Sequence, residues 1–334
     1  MELPGNINSL PRIALANLPT PLGELSNLSR TLGGPELLIK RDDLTGLATG
    51  GNKTRKLEFL IADALQQEAD CVITAGGPQS NHCRQTAAAA AIAGLQSHLV
   101  LGGEPPPRSE GNLLLDRLLG AVVHWTPKPQ RNQTMAELAE QLRGQGRRPY
   151  VIPIGGSNAI GSVGYVVAMF ELVEQLAQRN EQVDCIVFPS SSGGTQAGVV
   201  LGAMLAGFTG RVLAISIDQQ PDDQSETKFL AEVCQVANAA AELMGVDCRL
   251  DVEDFPTNYD YLGGGYGVVG DLERDAISLL AQQEGILVGP VYSGRGMGAL
   301  VDLVRRGEFR TGETVLYWHT GDESALHAYA DELL

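Results

Sequence analysis

The sequence predicts an α/β protein built from open, twisted and mostly parallel sheets that are flanked by helices. Short apolar runs rich in β-branched residues alternate with longer helical patterns, and this alternation is typical of βαβ units. The chain has 334 residues, which is more than one core usually absorbs, so two domains are expected. Hydrophobic residues make up 43% and charged residues 19% of the chain, a composition that favours large cores over disorder.

The individual elements follow from this alternation. Strands are predicted at residues 37–40, 71–74, 98–101, 121–125, 150–153, 184–188, 211–217, 286–288 and 315–318. Helices are predicted at residues 56–67, 84–94, 135–143, 161–178, 195–206, 225–243 and 272–284. Residues 1–35 lack periodicity and are expected to form an arm with short turns. Ligands of open α/β sheets bind where strands turn into helices, so those turns should carry the chemistry.

Charge and cysteine content exclude several classes of protein. The net charge of -16 argues against a nucleic-acid partner and against anionic membrane surfaces. The five cysteines form no C-x-x-C pair, so neither a disulfide framework nor a metal site is expected, and a reducing compartment such as the cytoplasm is predicted. The N-terminus does not resemble a signal peptide, and the longest apolar stretches are too short to span a bilayer.

The first unusual turn contains Lys53 directly after Gly50, Gly51 and Asn52. The glycines permit a tight turn that leaves room for a ligand. A lysine at a helix start is disfavoured as a cation by the helix dipole, and the same field favours the neutral amine that attacks aldehydes. The alternative is a solvated surface lysine. Lys56 lacks this setting and is expected to be solvated.

A second turn follows the predicted strand at 71–74 and carries an unbroken run of hydrogen-bonding side chains: Gln79, Ser80, Asn81 and His82. Helix capping explains one of Ser80 and Asn81, but it does not explain the whole run. Such a run facing a glycine-made gap suits a small polar ligand. His82 on its own is expected to be structural.

The third turn, at residues 188–198, has the composition of an anion cradle at a helix start. It lacks the Gly-Lys-Ser/Thr end of a Walker loop and the G-x-G-x-x-G spacing of a dinucleotide site, so one phosphate fits better than a nucleotide. The alternative is an ordinary glycine-rich turn with a serine cap. Together, the three turns suggest a phosphorylated aldehyde cofactor.

The motifs resemble those of the fold-type-II pyridoxal-phosphate enzymes, in the branch that contains D-cysteine desulfhydrase and 1-aminocyclopropane-1-carboxylate (ACC) deaminase. The resemblance covers nearly the whole chain from about Leu18 onward. The strings that carry it are GGNKTRKLEFL, GGPQSNHCRQTAAA, SGGTQAG, GGGYG, GPVYSG and WHTG. It implies a two-domain, tryptophan synthase β-like fold with pyridoxal 5'-phosphate as the cofactor.

The resemblance also implies roles for residues at the matching positions. Lys53 would carry the cofactor, and Asn81 would meet its phenolic oxygen. The substrate carboxylate would face Gln79 and Ser80, with Asn81 beside it. The substrate pocket would be lined by Tyr266 and Tyr292, which join Lys53 and Ser80 as the predicted catalytic groups. The phosphate would rest on Ser192, Gly193, Gly194 and Thr195.

Two positions resemble the desulfhydrase more than the deaminase. The deaminase has Glu and Leu where this chain has Ser293 and Thr320, which would lie near the cofactor's ring nitrogen. A carboxylate keeps that nitrogen protonated, whereas a serine leaves the ring a weaker electron sink that suffices when a good leaving group departs from Cβ. We therefore expect β-elimination from a small amino acid, with D-cysteine as the main candidate. Asp322 departs from the pattern, because many relatives have glycine there.

Other activities stay open at this point. ACC deaminase is the nearest alternative, and L-cysteate sulfo-lyase is another because Arg295 offers a cation for a sulfonate. A racemase would use Tyr266 or Ser80 as its second acid or base. A catalytically silent cofactor-binding protein and a nicotinamide dehydrogenase fit the motifs less well.

The resemblance finally implies a domain division and an assembly. Residues 1–54 and 160–334 would form a large cofactor-binding domain, and residues 55–159 a small α/β domain, with the active site in the cleft between them. A homodimer is expected from the resemblance. The residues themselves decide neither the chirality of the substrate nor its leaving group.

Overall fold

The computed structural model describes residues 2–219 and 225–334, and their strands form two sheets. One sheet contains β1 (Leu22–Glu24), β2 (Glu36–Arg41), β7 (Cys185–Ser190), β8 (Arg211–Ser216), β9 (Thr257–Asn258) and β10 (Thr314–His319). The other contains β3 (Cys71–Gly76), β4 (Gln96–Gly102), β5 (Val122–Thr126) and β6 (Pro149–Val151). Their orders are β1-β2-β10-β7-β8-β9 and β5-β4-β3-β6. Only the β1–β2 pair is antiparallel among these strands, which confirms the mostly parallel α/β prediction.

The helices connect and cover these strands. They are α1 (Ser26–Leu32), α2 (Lys53–Gln66), α3 (Asn81–Ala93), α4 (Gly111–Leu118), α5 (Arg131–Gly144), α6 (Ala159–Arg179), α7 (Gly194–Leu205), α8 (Ser225–Leu243), α9 (Asp271–Glu284), α10 (Ser293–Arg305) and α11 (Ala330–Leu333). Side-chain caps mark the N-terminus of two of these helices. Ser80 accepts a hydrogen bond from the Cys83 N–H at α3, and Asn158 accepts one from the Gly161 N–H at α6.

Helices lie on both faces of the six-stranded sheet and bury its centre. Strand β7 is buried at every residue, as expected for a central parallel strand. On one face α1, α9 and α10 contribute side chains such as Leu28, Ile277 and Met297 to a shared core with β10. On the other, α6 and α7 pack through residues such as Tyr165 and Val199. These layers fix the carboxyl ends of the strands, where the site lies.

Helix α6 is the one helix in the described ranges that is long and apolar enough to cross a membrane by length and composition. Most of its apolar window is buried inside the protein. Val163 and Val166 pack with α8 residues such as Val233, so α6 is a central helix of the core.

Some predicted elements need correction. The predicted strand at 286–288 is wrong, because these residues pair with no strand of the described chain. The carbonyl of Leu287 instead accepts from His319 Nε2, and Gly289 and Pro290 then lead into α10. The N-terminal arm contains a strand and a helix, β1 and α1, that its weak periodicity did not reveal. Helices α4 and α10 were not predicted either.

Residues at the strand ends of both sheets line one cleft of about 730 Å³. Helix α2 packs against both α3 and α6 and so links the parts of the chain on either side. The carboxyl ends of β3, β4, β7 and β10 all open onto this cleft. This is the position at which the strand-to-helix turns of an α/β fold present ligand-binding groups.

Candidate active site

The cleft collects side chains from all three turns singled out in the sequence. The predicted site residues that line it are Lys53, Gln79, Ser80, Asn81, Ser192, Gly193, Thr195, Tyr266, Tyr292 and Thr320. Gly194 and Ser293 lie directly behind this surface, each next to a lining residue. Segments far apart in sequence therefore form one polar site.

Lys53 is the first residue of α2 and lies on the cleft. Gly50 and Gly51 precede it with φ of +74° and +123°, and a Cβ at Gly50 would lie 1.8 Å from the Asp43 carbonyl oxygen. The turn therefore requires glycine. Burial lowers the pKa of Lys53 to about 8, against the opposing effect of the nearby Asp322 charge. The neutral amine is thus accessible near neutral pH.

Lys56 is buried, so the expectation of a solvated lysine is wrong. Its side chain is about 1% exposed, and Nζ donates to the Gly155 carbonyl oxygen at 3.1 Å. Burial and the neighbouring Lys53 hold the pKa of Lys56 well below its usual value. One turn of helix places both amines on the same side of α2, which the sequence motif alone did not reveal.

The small-sheet side of the cleft presents the polar run at the start of α3. Gln79 uses both ends of its amide within the protein, donating to the Glu110 carbonyl and accepting from the Asn112 N–H at 2.9 Å. A direct role for this amide with a substrate carboxylate would require it to give up those bonds. Asn81 differs, because its buried Oδ1 has no partner among the described residues. A buried polar atom without a partner on a cleft is a place for a ligand.

The large-sheet side presents a cup at the start of α7. Gly193 precedes the helix with φ of +78°, and its backbone turn exposes the helix N-terminus to the cleft. Ser157 completes the cup, since its Oγ donates to Ser192 Oγ at 2.9 Å and accepts from the Gly194 N–H at 3.1 Å. Thr195 Oγ1 accepts from Asn52 Nδ2 at 3.1 Å. Ser157 was missed in the sequence, although its Gly-Gly-Ser-Asn setting is a turn signal.

Two tyrosines close the cleft. The hydroxyls of Tyr266 and Tyr292 are hydrogen bonded, and their rings meet edge to face with centroids 5.6 Å apart. Burial raises the pKa of both phenols, so both stay protonated at neutral pH. Because the pair holds two protons and shares one hydrogen bond, it has a proton to donate to a group in the cleft.

Ser293 begins α10 and is fully buried. Its Oγ accepts from the Gly289 N–H at 2.9 Å and also contacts the Gly321 carbonyl and the Asp322 carboxylate. Thr320 lines the cleft itself, and its carbonyl accepts from the Asn52 N–H at 2.9 Å. The predicted ring-nitrogen residues therefore lie together at one end of the site, next to a carboxylate.

Arg295 does not reach the cleft. It is about 1% exposed and pairs with Glu273. Its guanidinium also donates to the carbonyls of Ile217, Gly265 and Val268. Arg295, which the sequence suggested as a partner for a sulfonate, therefore stabilises the fold and does not bind a ligand in the cleft. Among the described residues, the lysines and arginines on the cleft other than Lys53 are Lys128 and Arg131, which the sequence did not single out.

The arrangement fits a phosphorylated aldehyde. The helix start with its hydroxyls suits a phosphate, the Lys53 amine suits the aldehyde, and the unpartnered Asn81 oxygen marks a polar contact between them. The cleft has room for such a cofactor together with a small amino acid.

Comparison with known proteins agrees with this geometry. A family model described as "Pyridoxal-phosphate dependent enzyme" matches residues 13–321. The chain is 42% identical to D-cysteine desulfhydrase of Serratia proteamaculans, over 98% of this chain and 99% of that protein. It is 37% identical to a putative ACC deaminase of Pyrococcus abyssi, over 98% and 96%.

Solved structures give the same result. The crystal structure of an ACC deaminase homologue matches with a TM-score of 0.87 and 39% identity, covering 98% of this chain and 96% of the other. The fold-type-II prediction and the pyridoxal-phosphate prediction are thereby confirmed. The chain belongs to the pyridoxal-phosphate dependent enzyme family and is related to its D-cysteine desulfhydrases and ACC deaminases.

Proposed function

We propose that this enzyme catalyses β-elimination from D-cysteine, releasing sulfide, ammonia and pyruvate. The observation that carries the proposal is that one cleft holds the Lys53 amine with its lowered pKa, the helix start of α7 and the hydrogen-bonded Tyr266–Tyr292 pair. The relatives named D-cysteine desulfhydrase support the choice of substrate, since they align over almost the full length of both chains.

Bound pyridoxal phosphate supplies the electron sink for the charge left at Cα. The neutral Lys53 amine takes the Cα proton, since its low pKa leaves it free to act as a base near neutral pH. The Tyr266–Tyr292 pair donates a proton to the leaving sulfur, so that hydrogen sulfide departs from Cβ. The remaining enamine takes up water to give pyruvate and ammonia.

The other predicted residues hold the reactants. Ser192, Gly193, Gly194 and Thr195 bind the phosphate at the start of α7, with Ser157 beside them. Asn81, whose buried Oδ1 has no partner among the described residues, contacts the cofactor, and Ser80 presents its hydroxyl to the substrate carboxylate. Gln79 acts by positioning, because its amide fixes the loop before α4.

The proposal includes a domain division, an assembly and a location. The four-stranded sheet lies wholly within residues 55–159, whereas the six-stranded sheet draws on both 1–54 and 160–334. This supports a small domain inserted into a larger one. Five free cysteines suit a reducing cytoplasm. The family resemblance supports a homodimer.

ACC deamination is the second candidate, and one contact favours it. The Asp322 carboxylate touches Ser293, so a negative charge lies near the expected ring nitrogen despite the serine. L-Cysteate is less favoured, because Arg295 is fully engaged by Glu273 and by backbone carbonyls.

The test supplies the purified enzyme with pyridoxal phosphate and then with D-cysteine, L-cysteine, ACC or L-cysteate in separate reactions. Sulfide and pyruvate from D-cysteine are expected, and they should be lost in Lys53→Ala but kept in Lys228→Ala, a matched change at an exposed lysine of α8. Formation of 2-oxobutyrate from ACC, without sulfide from D-cysteine, would move the assignment to the deaminases.

A further inference from the structure

Asp322 occupies an unusual position directly after the strand β10 motif. It is fully buried and has a backbone φ of +86°, a conformation that favours glycine or asparagine over most other residues. Its Oδ2 accepts from the Tyr292 N–H at 2.8 Å, and its Oδ1 contacts Ser293 Oγ. A buried carboxylate held in a strained conformation costs stability, so a functional reason is expected.

The hydrogen bonds of Ser293 can be counted. Its Oγ has one proton and accepts one bond from the Gly289 N–H. The single proton has two acceptors inside the protein, the Gly321 carbonyl at 2.7 Å and the Asp322 carboxylate. Either choice leaves Oγ with only a lone pair to offer outward. The serine is therefore set up as a hydrogen-bond acceptor.

We propose that Asp322 is a positioning residue that, together with the Gly321 carbonyl, holds the Ser293 proton inward and thereby keeps the cofactor's ring nitrogen protonated. The inference rests on the proposed placement of that nitrogen at Ser293. A pyridine nitrogen facing an acceptor forms a hydrogen bond only when it carries a proton. The Asp322 charge favours that proton further, because it lies just behind the serine in a buried site.

The surroundings of Asp322 keep it charged at the pH at which the enzyme would work. Burial and the adjacent Glu323 raise the pKa of Asp322 to about 6, while Ser293, the Tyr292 N–H and His319 oppose the shift. Above that pH the carboxylate is ionised. Through the serine, the chain thus supplies the negative charge that a carboxylate at residue 293 would have provided directly.

Asp322→Asn is the sharpest variant. Its amide oxygen must face the Tyr292 N–H, so its NH2 group turns toward Ser293 Oγ and donates to it. Both lone pairs of Ser293 Oγ are then occupied, by the Gly289 N–H and by the new amide, so the ring nitrogen loses its acceptor. Asn also tolerates a positive φ, so the backbone is preserved. Asp322→Gly removes the carboxylate without any side chain and gives a second variant.

The experiment records the ¹⁵N NMR spectrum of enzyme loaded with ring-¹⁵N pyridoxal phosphate at pH 7.5, without substrate. A protonated nitrogen is expected in the native enzyme, with a shift toward the unprotonated position in Asp322→Asn. A smaller shift is expected in Asp322→Gly, which loses the charge but keeps the Gly321 carbonyl as the acceptor of the serine proton. In a Ser293→Ala background, Asp322→Asn should cause a much smaller change, because the relay is already broken.

The outcomes are distinct from those of the activity assay. An unprotonated nitrogen in the native enzyme would overturn the inference, and so would an unchanged spectrum in Asp322→Asn with the cofactor bound. If Asp322→Asn matched the native spectrum while Asp322→Gly did not, the role would be steric, and the inference would also fail. A protonated nitrogen in an enzyme inactive on D-cysteine would overturn only the proposed function.

Discussion

Lys53 and Lys56 lie one turn apart on the same helix, and both have lowered pKa values, although Lys53 is only half-buried and Lys56 is buried. They differ in what surrounds the amine. The Lys53 amine lies on the cleft, 3.1 Å from Asn52 Oδ1 and within the field of Asp322. The Lys56 amine is away from the cleft surface and is held by the Gly155 carbonyl.

The comparison teaches that burial alone does not make a catalytic lysine. Burial removes water from both amines, which disfavours the charged form and lowers their pKa values. Of the two, Lys53 alone combines a lowered pKa with an open path to a ligand, on the same cleft as the proposed phosphate site at the start of α7. Lys56 serves to join α2 to the loop that follows β6, through one hydrogen bond.

The largest effect is expected from Lys53→Ala. The variant removes the amine that we propose carries the cofactor and takes the Cα proton, so kcat/KM should fall by about 10³-fold or more. The visible absorbance of lysine-bound pyridoxal phosphate should disappear as well. Lys228→Ala should retain both signals, whereas a Lys53→Ala enzyme with near-native turnover would contradict the assignment.

Arg55 lies between the two lysines in the sequence, and it is expected to stabilise the fold and not to take part in the reaction. Its guanidinium pairs with Asp42 and Glu171, both within 2.8 Å, and the partner charge holds the pKa of Asp42 at about 2. Arg55→Ala leaves the fully buried Asp42 carboxylate without its guanidinium partner, whereas Glu171 keeps its ion pair with Lys40. The free energy of unfolding should therefore fall by about 3–5 kcal/mol. Urea unfolding of the loaded enzyme measures this. A loss below about 1 kcal/mol would mean that the network is dispensable.

Much of this distinction could be predicted from sequence. The Lys53 turn, the polar run and the phosphate loop each combine glycines with functional side chains at a strand-to-helix turn, and such signals are local. The burial of Lys56 could not be predicted, because it depends on the Gly155 carbonyl, 99 positions away in the chain. The pairing of Ser293 with Asp322 depends in the same way on two loops that only the fold brings together.

A smaller effect is expected in the pH dependence of cofactor capture. Only the neutral Lys53 amine attacks the aldehyde, and its fraction rises with pH through a pKa of about 8, below the ordinary lysine value of 10.5. The rate at which the cofactor-free enzyme binds pyridoxal phosphate should therefore rise with pH, and the midpoint of this rise should lie near pH 8. In Asp322→Asn the midpoint should move lower, because the charge that raises this pKa is gone. A midpoint near 10 in the native enzyme would contradict the burial argument.

The smallest effect is expected from Lys56→Met. The change removes one hydrogen bond to the Gly155 carbonyl but also removes a buried amine, and these terms offset each other. The free energy of unfolding should change by about 1 kcal/mol or less, and kcat/KM should fall by less than about tenfold. Thermal unfolding measures the change in stability, and the D-cysteine assay measures kcat/KM. A loss as large as that of Lys53→Ala would place Lys56 in the chemistry.

The most direct test asks which of the two amines holds the cofactor. The loaded enzyme is reduced with borohydride, which makes the link to the lysine permanent, and is then digested and mapped by mass spectrometry. We expect the pyridoxyl group on Lys53, with Lys56 unmodified in the same peptide. Modification at Lys56, or no modified lysine in this helix, would contradict the account of the site.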